Sequence, residues 1–280
     1  MAAVVSLGVA AAGCGSSAPG PGRTPIGTAA SPARSARPAT ATPSPIPSGP
    51  DLIVGTRSVH FRSADGVRLA GRLFGHGPTV VILSQMGPGG NDQTEWWPMA
   101  SVLAGRGYRV LTYDYSGICP GGAAGCSKGS TGTGAPAPNL TGAIRFAKTL
   151  GARRVVLGGA SMGAMASLKL AARPGIDVAA VISVSGLEGL FGPYALGRNV
   201  ISRISEPKLF LAGRYDDEAA QSARHWIRWS RPPIEGKILN TGLHGTDMID
   251  LASGADSAIP GIVVRSMVGF LDRYAPAHAD

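Results

Sequence analysis

A serine framed by glycines is the residue whose setting best suits nucleophilic chemistry. Gly159-Ala160-Ser161-Met162-Gly163 follows the apolar run Val155-Val156-Leu157, which predicts a strand. The run Ala164–Ala171, with helical character, follows at once. A tight strand-to-helix turn would strain the backbone of the serine and hold its hydroxyl at a helix N-terminus, where developing negative charge is favoured. We therefore predict that Ser161 is a nucleophile.

The same pattern occurs a second time, so the motif needs its structural context. Gly125-Cys126-Ser127-Lys128-Gly129 also places a serine between two glycines at the same spacing. That copy has no predicted strand before it and no helix directly after it, and exposing a nucleophile requires both. The prediction stays with Ser161, and the alternative is a small buried serine at the end of a strand.

A nucleophilic serine needs a base and an acid that orients the base. His244 follows a late predicted strand and lies in a loop ahead of the last predicted helix. The other histidines lie beside the first hairpin, within a helix or in the C-terminal tail: His60, His76, His225 and His278. Two acids follow the preceding strand, where the spacing Gly-x-x-Asp favours Asp216. The alternative, Asp217, is then a candidate cap of the helix that it begins.

Alternating strand and helix patterns position these residues. Thr56–Phe61 and Val67–Phe74 are separated by Ala64-Asp65-Gly66, which predicts an antiparallel hairpin. Further strands are predicted at Thr79–Leu83, Tyr108–Tyr113, Arg154–Gly158, Val178–Val184, Lys208–Ala212 and Gly236–Leu239, and helices at Gln93–Gly105, Leu140–Leu150, Met162–Ala172, Glu218–Trp229 and Ile262–Tyr274. This order predicts one α/β domain over residues 52–278, with a mostly parallel sheet covered by helices on both faces.

The first fifty residues predict an export signal and a tether. Residues 2–13 form a short apolar run, and Ala11-Ala12-Gly13-Cys14 resembles the lipobox of bacterial lipoproteins. That resemblance implies a signal segment at 1–14, a lipid on the Cys14 thiol and a protein anchored to the outer face of the cell membrane. Residues 15–51 are rich in Pro, Ser, Thr and Ala, which predicts a disordered tether. The alternative is an Ala-rich terminus with an incidental cysteine.

Two further cysteines, Cys119 and Cys126, lie close together in a glycine-rich stretch. An even pair in an exported chain predicts a disulfide, whereas a cytosolic protein would keep both thiols free. Their spacing is not that of a CxxC metal site, and no metal is predicted.

Composition and charge exclude several classes of protein. With 44% hydrophobic residues, the chain of 280 is not wholly disordered, and no apolar run approaches the roughly 18 residues of a membrane-spanning helix. The net charge of +9 includes three arginines within residues 1–50, and the remaining basic residues are scattered without a basic run or interleaved aromatics. We therefore expect no nucleic-acid partner. A small-molecule ester substrate and a monomer are expected as well, on grounds other than composition.

The motif, the chain order and the strand–helix pattern together resemble the α/β-hydrolase family over nearly all of residues 52–278. In that family the order along the chain is serine, acid and histidine, which implies a catalytic triad of Ser161, Asp216 and His244. Tyr113-Asp114-Tyr115-Ser116-Gly117 lies where these enzymes carry an Asp-x-Arg-Gly-like turn, with a serine here in place of the arginine.

The resemblance also implies an oxyanion hole after the third strand. The family usually has His-Gly there, whereas Ser84-Gln85-Met86-Gly87-Pro88-Gly89-Gly90 keeps only the glycine-rich turn. Backbone donors do not require a particular side chain, so the N–H groups of Met86 and Met162 would bind the oxyanion.

These observations predict a serine hydrolase that cleaves carboxylic esters through an acyl-enzyme, without a cofactor. The segment Gly186–Pro207, where the family inserts its lid, is short and has few bulky apolar residues (Phe191, Tyr194 and Leu196). A minimal lid and a shallow pocket are therefore expected. The alternatives are a thioesterase or acyltransferase with the same triad, and a surface-anchored binding lipoprotein that has lost activity, which the missing His-Gly favours.

Overall fold

Eight strands form one sheet in the part of the chain that the computed structural model describes, namely residues 55–87, 91–119, 126–130, 132, 134–189, 195–250 and 258–278. The strands are β1 (Arg57–Arg62), β2 (Arg68–Phe74), β3 (Thr79–Ser84), β4 (Arg109–Tyr113), β5 (Arg154–Ala160), β6 (Ala180–Val184), β7 (Lys208–Gly213) and β8 (Ile234–Leu239). Their order across the sheet is β1-β2-β4-β3-β5-β6-β7-β8. β2 pairs antiparallel with β1 and β4, and the other neighbours are parallel. The predicted mostly parallel sheet is confirmed.

Helices cover both faces of this sheet. They are α1 (Trp97–Gly105), α2 (Pro136–Thr149), α3 (Met162–Ala171), α4 (Arg198–Ile201), α5 (Asp217–Trp229) and α6 (Ala258–Tyr274). Alternate residues of a strand point to opposite faces, so Val81 and Leu83 of β3 share a core with α1 and α6. Val80 and Ile82 share the other core with α2, α3 and α5. Each helix among the described residues is too short or too polar to cross a membrane.

The elements differ from the predicted ones mainly where helices begin. α2 and α6 each begin four residues earlier than predicted, at Pro136 and Ala258. Their first turns contain prolines, which the first turn tolerates because its N–H groups have no acceptor within the helix. The sequence prediction also missed the short helix α4, which lies between β6 and β7.

Several predicted features lie outside the described residues. These are the signal segment at 1–14 with its lipidation site Cys14, the tether predicted at 15–51, and Phe191 and Tyr194 of the lid segment. They stay predictions.

Candidate active site

Ser161 lies in a strained turn between β5 and α3. Its φ and ψ are 49° and −114°, in a region that residues with a Cβ rarely adopt, and its amide donates to the carbonyl of Val184 on β6 over 2.9 Å. A Cβ on Gly159 would collide with the backbone of Gly163, and a Cβ on Gly163 would fall on the carbonyl oxygen of Ser84. Both glycines of the motif are therefore required, because strand, helix and the loop after β3 meet here without room for side chains.

The structure pairs His244 with Asp216. The imidazole Nδ1 lies 2.8 Å from Oδ2 of Asp216, and the two side chains are 34% and 13% exposed. Asp216 follows β7 and His244 follows β8, and these parallel neighbours bring their carboxyl ends to the same edge of the sheet. When Nδ1–H donates this hydrogen bond, the ring is oriented and the unprotonated Nε2 can accept a proton.

Asp217 does not occupy the N-cap position of α5 that was its alternative role. It is the first residue of α5 and is exposed, whereas Asp216 occupies the N-cap position. The Asp216 side chain makes no capping bond, because it is engaged with His244. The acidic first turn of α5 still complements the positive end of the helix dipole.

The loops that carry Ser161 and His244 are adjacent. A Cβ on Gly245 would lie 3.3 Å from Cβ of Ala160 and would collide with the sulfur of Met86. Among the described contacts there is no hydrogen bond between the Ser161 hydroxyl and His244. Such bonds are often long without substrate and shorten when it binds, so the arrangement is compatible with proton transfer.

The segments that carry the two predicted oxyanion donors are adjacent. A Cβ on Gly87 would touch the terminal methyl of Met162 at 3.2 Å, so the loop after β3 adjoins the start of α3. Among the described residues, neither the N–H of Met86 nor that of Met162 has a hydrogen-bond acceptor. Two free amides near a serine can bind a developing oxyanion.

Gln85 and Tyr115, which the sequence analysis did not single out, hold this loop. The Tyr115 hydroxyl donates to the carbonyl of Gln85 over 3.0 Å, and the side-chain amide of Gln85 donates to the carbonyl of Asn91, also over 3.0 Å. Because C=O and N–H of one trans peptide point in opposite directions, fixing the Gln85 carbonyl also fixes the direction of the Met86 N–H. The sequence shows only an amide residue directly after a predicted strand, and the burial of its side chain becomes visible in the structure.

A buried and a half-buried carboxyl group, those of Asp114 and Glu95, support the loops around the site. Asp114 accepts from the backbone and side-chain nitrogens of Gln93 over 2.9 and 2.5 Å, and its burial raises its pKa to about 6. Glu95 accepts from the hydroxyl of Thr246, two residues after His244, over 3.0 Å. Burial, with smaller effects from nearby carboxylates, raises the pKa of Glu95 to about 7. These contacts tie the connection before α1 to β4 and to the histidine loop.

Ser185 is a second strained residue beside the nucleophile that the sequence did not reveal. It follows β6 directly, has a φ of 46° and donates its amide to Leu211 on β7 over 2.8 Å. Its hydroxyl is buried and has no hydrogen-bond partner among the described residues. Strained backbone and unpaired buried hydroxyls concentrate at functional sites, and nothing in the sequence pattern distinguishes this serine.

The second Gly-x-Ser-x-Gly serine is part of the fold. The buried hydroxyl of Ser127 donates to the carbonyl of Asp114 over 2.8 Å and accepts from the amide of Ala70 over 2.9 Å. Next to it, Cys126 forms a disulfide with Cys119, with Cα atoms 4.2 Å apart. In the described part of the chain, no group of three or more His, Cys, Asp or Glu side chains could hold a metal ion.

Known proteins resemble this chain in fold. A family model described as the alpha/beta hydrolase fold matches residues 78–198. The esterase Pf2001 of Pyrococcus furiosus superposes with a TM-score of 0.64 at 17% identity, over 80% of this chain and 94% of that one. The esterase domain of a Rhodothermus marinus protein gives 0.56 at 17% identity, over 78% and 98%.

A hydrolase from Pseudomonas aeruginosa gives a TM-score of 0.59 at 18% identity, over 77% of this chain and 98% of that one. No curated protein matches the sequence. The strand order, the strained serine after β5 and these likenesses agree, and the chain has the α/β-hydrolase fold.

Proposed function

We propose that this protein is a serine hydrolase that cleaves carboxylic esters. The observation that carries the proposal is the Asp216–His244 hydrogen bond of 2.8 Å, at the same edge of the sheet as the strained Ser161. Strained turns are retained where they expose a reacting group. The esterases among the solved structures with the same fold support an ester as the substrate.

In the proposed mechanism, Oγ of Ser161 attacks the ester carbonyl and passes its proton to Nε2 of His244. Asp216 stabilises the imidazolium through Nδ1, while the N–H groups of Met86 and Met162 bind the oxyanion. The intermediate collapses as the alcohol leaves with the proton from His244. Water, activated by the same imidazole, then releases the acid and restores the serine.

Covalent labelling with a fluorophosphonate tests this function directly. The wild-type protein should be labelled on Ser161, and Ser161→Ala should abolish labelling. Ser127→Ala, which removes the serine of the second motif, is the matched control and should be labelled like the wild type, provided that circular dichroism shows it folded. Equal weak labelling of wild type and Ser161→Ala would instead favour a binding protein that has lost activity.

A substrate series then separates the remaining activities. Hydrolysis of p-nitrophenyl esters of increasing acyl length should identify the preferred acyl group. The corresponding thioesters, and the transfer of the acyl group to an added alcohol, distinguish a thioesterase or acyltransferase. An esterase should hydrolyse the oxygen esters with the highest kcat/KM.

The proposal includes export and a lipid anchor at Cys14. Its support is the apolar run that ends at a lipobox-like sequence, followed by a Pro-rich tether. The Cys119–Cys126 disulfide is compatible with an oxidising compartment.

A further inference from the structure

Charged residues that are scattered along the sequence are separated by sign in the fold. The parallel strands β3–β8 end at one edge of the sheet, which carries the candidate active site and is here named the catalytic edge. They begin at the opposite edge, here named the amino edge. The two edges differ in the charge of the segments that form them.

The amino edge is basic. The connections that lead into β4–β8 form this edge. Each connection begins with the last two residues of the preceding helix and ends with the first residue of the strand. Within the described residues, these carry nine exposed or half-exposed basic side chains: Arg106, Arg109, Lys148, Arg153, Arg154, Arg173, Arg203, Arg228 and Arg231. They carry two acidic residues, Asp177 and Glu206, and one of the nine cations, Arg106, lies 3.7 Å from the carboxylate of Asp272 on α6. Basic residues are favoured in the last turn of a helix by the helix dipole, but only Lys148 and Arg228 of these nine lie in such a turn. The dipole therefore does not explain why basic residues collect at this edge.

The catalytic edge is acidic. The connections that leave β3–β8, up to the second residue of the following helix, hold eight described acidic residues that are exposed or half-exposed: Asp92, Glu95, Glu188, Asp216, Asp217, Glu218, Asp247 and Asp250. The buried Asp114 is not counted. These connections hold three described basic residues, Lys128, Arg198 and Arg214. Strands of this length separate the edges by about 20 Å, which exceeds the screening length of roughly 10 Å at moderate salt.

Two open clefts lie at the amino edge. One, of about 530 Å³, is lined by Lys148, Arg153 and Arg154, with Asp177 as its acidic residue. The other, of about 400 Å³, is lined by Arg57, Arg109, His76 and Leu150 among others. Within the second cleft, Arg109 donates to the carbonyls of Leu150 and His76 over 2.6 and 3.0 Å. Both clefts therefore present cations to a small anionic group.

We propose that the amino edge docks on an anionic lipid surface, with phospholipid headgroups entering these clefts, so that the catalytic edge faces away from the membrane. A broad basic face attracts anionic lipids through many weak contacts, whereas single-stranded nucleic acids also need exposed aromatic rings for stacking. Among the described residues, the large exposed hydrophobic side chain is Tyr215, and it follows β7 at the catalytic edge. The predicted membrane anchor would keep the domain near such a surface, but the inference does not depend on the proposed ester hydrolysis.

Vesicle binding tests the inference with the full chain carrying Cys14→Ala, so that no acyl group contributes. Vesicles of phosphatidylcholine alone should bind little, while an equimolar mixture with phosphatidylglycerol should bind strongly and lose binding as salt rises. Each basic residue near the surface strengthens binding about fivefold, so Lys148→Gln/Arg153→Gln/Arg154→Gln should weaken it on the order of a hundredfold. Equal binding to both kinds of vesicle would overturn the inference.

The matched control removes the same charge near the catalytic edge. Arg62→Gln/Arg68→Gln/Lys128→Gln changes three exposed basic residues beside that edge and should weaken vesicle binding by less than about threefold. Equal losses in the two triple variants would show that net charge alone matters and would overturn the docking surface. Tighter binding to duplex DNA than to anionic vesicles at the same salt, lost in the first variant, would assign the face to nucleic acid instead.

The orientation has its own readout. An environment-sensitive fluorophore on Pro174→Cys, in the exposed connection after α3, should change its emission when anionic vesicles bind. The same probe on Tyr215→Cys, at the catalytic edge, should not change. A response at Tyr215→Cys alone would overturn the proposed orientation.

Discussion

At the scale of single residues, the two neighbouring aspartates after β7 give a sharp comparison. Asp216→Asn should lower kcat/KM strongly, though less than the roughly 10³-fold or greater loss expected for Ser161→Ala, because an amide cannot stabilise the imidazolium. Asp217→Asn should change thermal stability more than rate, since it removes a charge from the first turn of α5. Steady-state kinetics and melting curves of both variants check this. Loss of turnover in Asp217→Asn alone would contradict the assignment.

Tyr115 is predicted to position an oxyanion donor. Tyr115→Phe removes the hydroxyl that holds the Gln85 carbonyl, so the Met86 N–H loses its fixed direction. We expect kcat to fall about tenfold while KM changes by less than about twofold, because the contact matters only once the oxyanion forms.

Tyr108→Phe is the matched control for that experiment. Its hydroxyl donates to Asp272 over 3.1 Å at the other end of β4. Both variants lose one partly or fully buried hydrogen bond and should lose about 1 kcal/mol of stability. Only Tyr115→Phe should lower kcat, and equal kinetics in the two variants would contradict the positioning role.

Local signals in the sequence cover only part of this site. Ser161 stands between glycines after a strand, and Asp216 and His244 each follow a strand, so position along the chain was enough to propose them. Gln85, Tyr115 and Ser185 also come shortly after strands, but an amide, a phenol and a lone serine there match no catalytic pattern. Their roles arise from contacts between segments that meet only when β3, β4, β6 and β7 assemble, and from a backbone angle that no pattern encodes.

At the scale of elements, Glu95 joins the segment before α1 to the histidine loop through Thr246, and its ionisation makes the stability of the fold depend on pH. Its pKa is about 7 in the fold, above the ordinary value of 4.5, so the folded state binds more protons than the unfolded state between these values. Its contribution to stability is therefore complete below about pH 4.5 and is lost as pH rises through about 7.

Glu95→Gln should flatten this dependence. The amide keeps a hydrogen-bond partner for Thr246 and cannot ionise, so the midpoint of thermal unfolding should fall less between about pH 5 and pH 8 than in the wild type. The remaining slope of the same sign comes from Asp114, whose pKa is also raised. A variant with the wild-type slope would show that Glu95 does not contribute.

The connection between β4 and α2 is predicted to be closed by a covalent bond. Without reduction, the peptide that contains Cys119 and Cys126 should be about 2 Da lighter than after reduction, through the loss of two hydrogens. Cys119→Ser/Cys126→Ser should lose about 2.5 kcal/mol of stability in the chain-entropy model of so short a loop. Free thiols after expression in an oxidising compartment would contradict the bond.

The element boundaries show why prediction succeeds better in the middle of the domain than at helix starts. Strands such as β3 and β5 are short, continuous apolar runs, which is typical of strands buried on both faces of a parallel sheet, and their predicted positions are confirmed. The first turns of α2 and α6 contain proline and little apolar periodicity. Their helical state comes from the rest of the helix and its packing, which a local pattern does not show.

At the scale of the whole molecule, the N-terminal prediction concerns the location of the protein in the cell. Cys14→Ser should move the protein from the membrane fraction of its native cell to the soluble fraction, because the thiol that would carry the lipid is gone. Fractionation followed by immunoblotting measures this. A wild-type protein that is already fully soluble without detergent would contradict the anchor.

The two outer strands of the sheet affect how copies of this molecule meet. An outer strand has unpaired N–H and C=O groups that can recruit a strand from another chain, which is a common route to aggregation. β1 carries exposed Arg57 and Arg62, and β8 carries half-buried Glu235 and exposed Lys237. A strand from a second copy that paired with β1 would bring further positive charges close to its arginines. A strand that paired with β8 would remove water from the charged side chains there. The same charges that keep the sheet at eight strands should therefore keep the protein colloidally stable where it is concentrated.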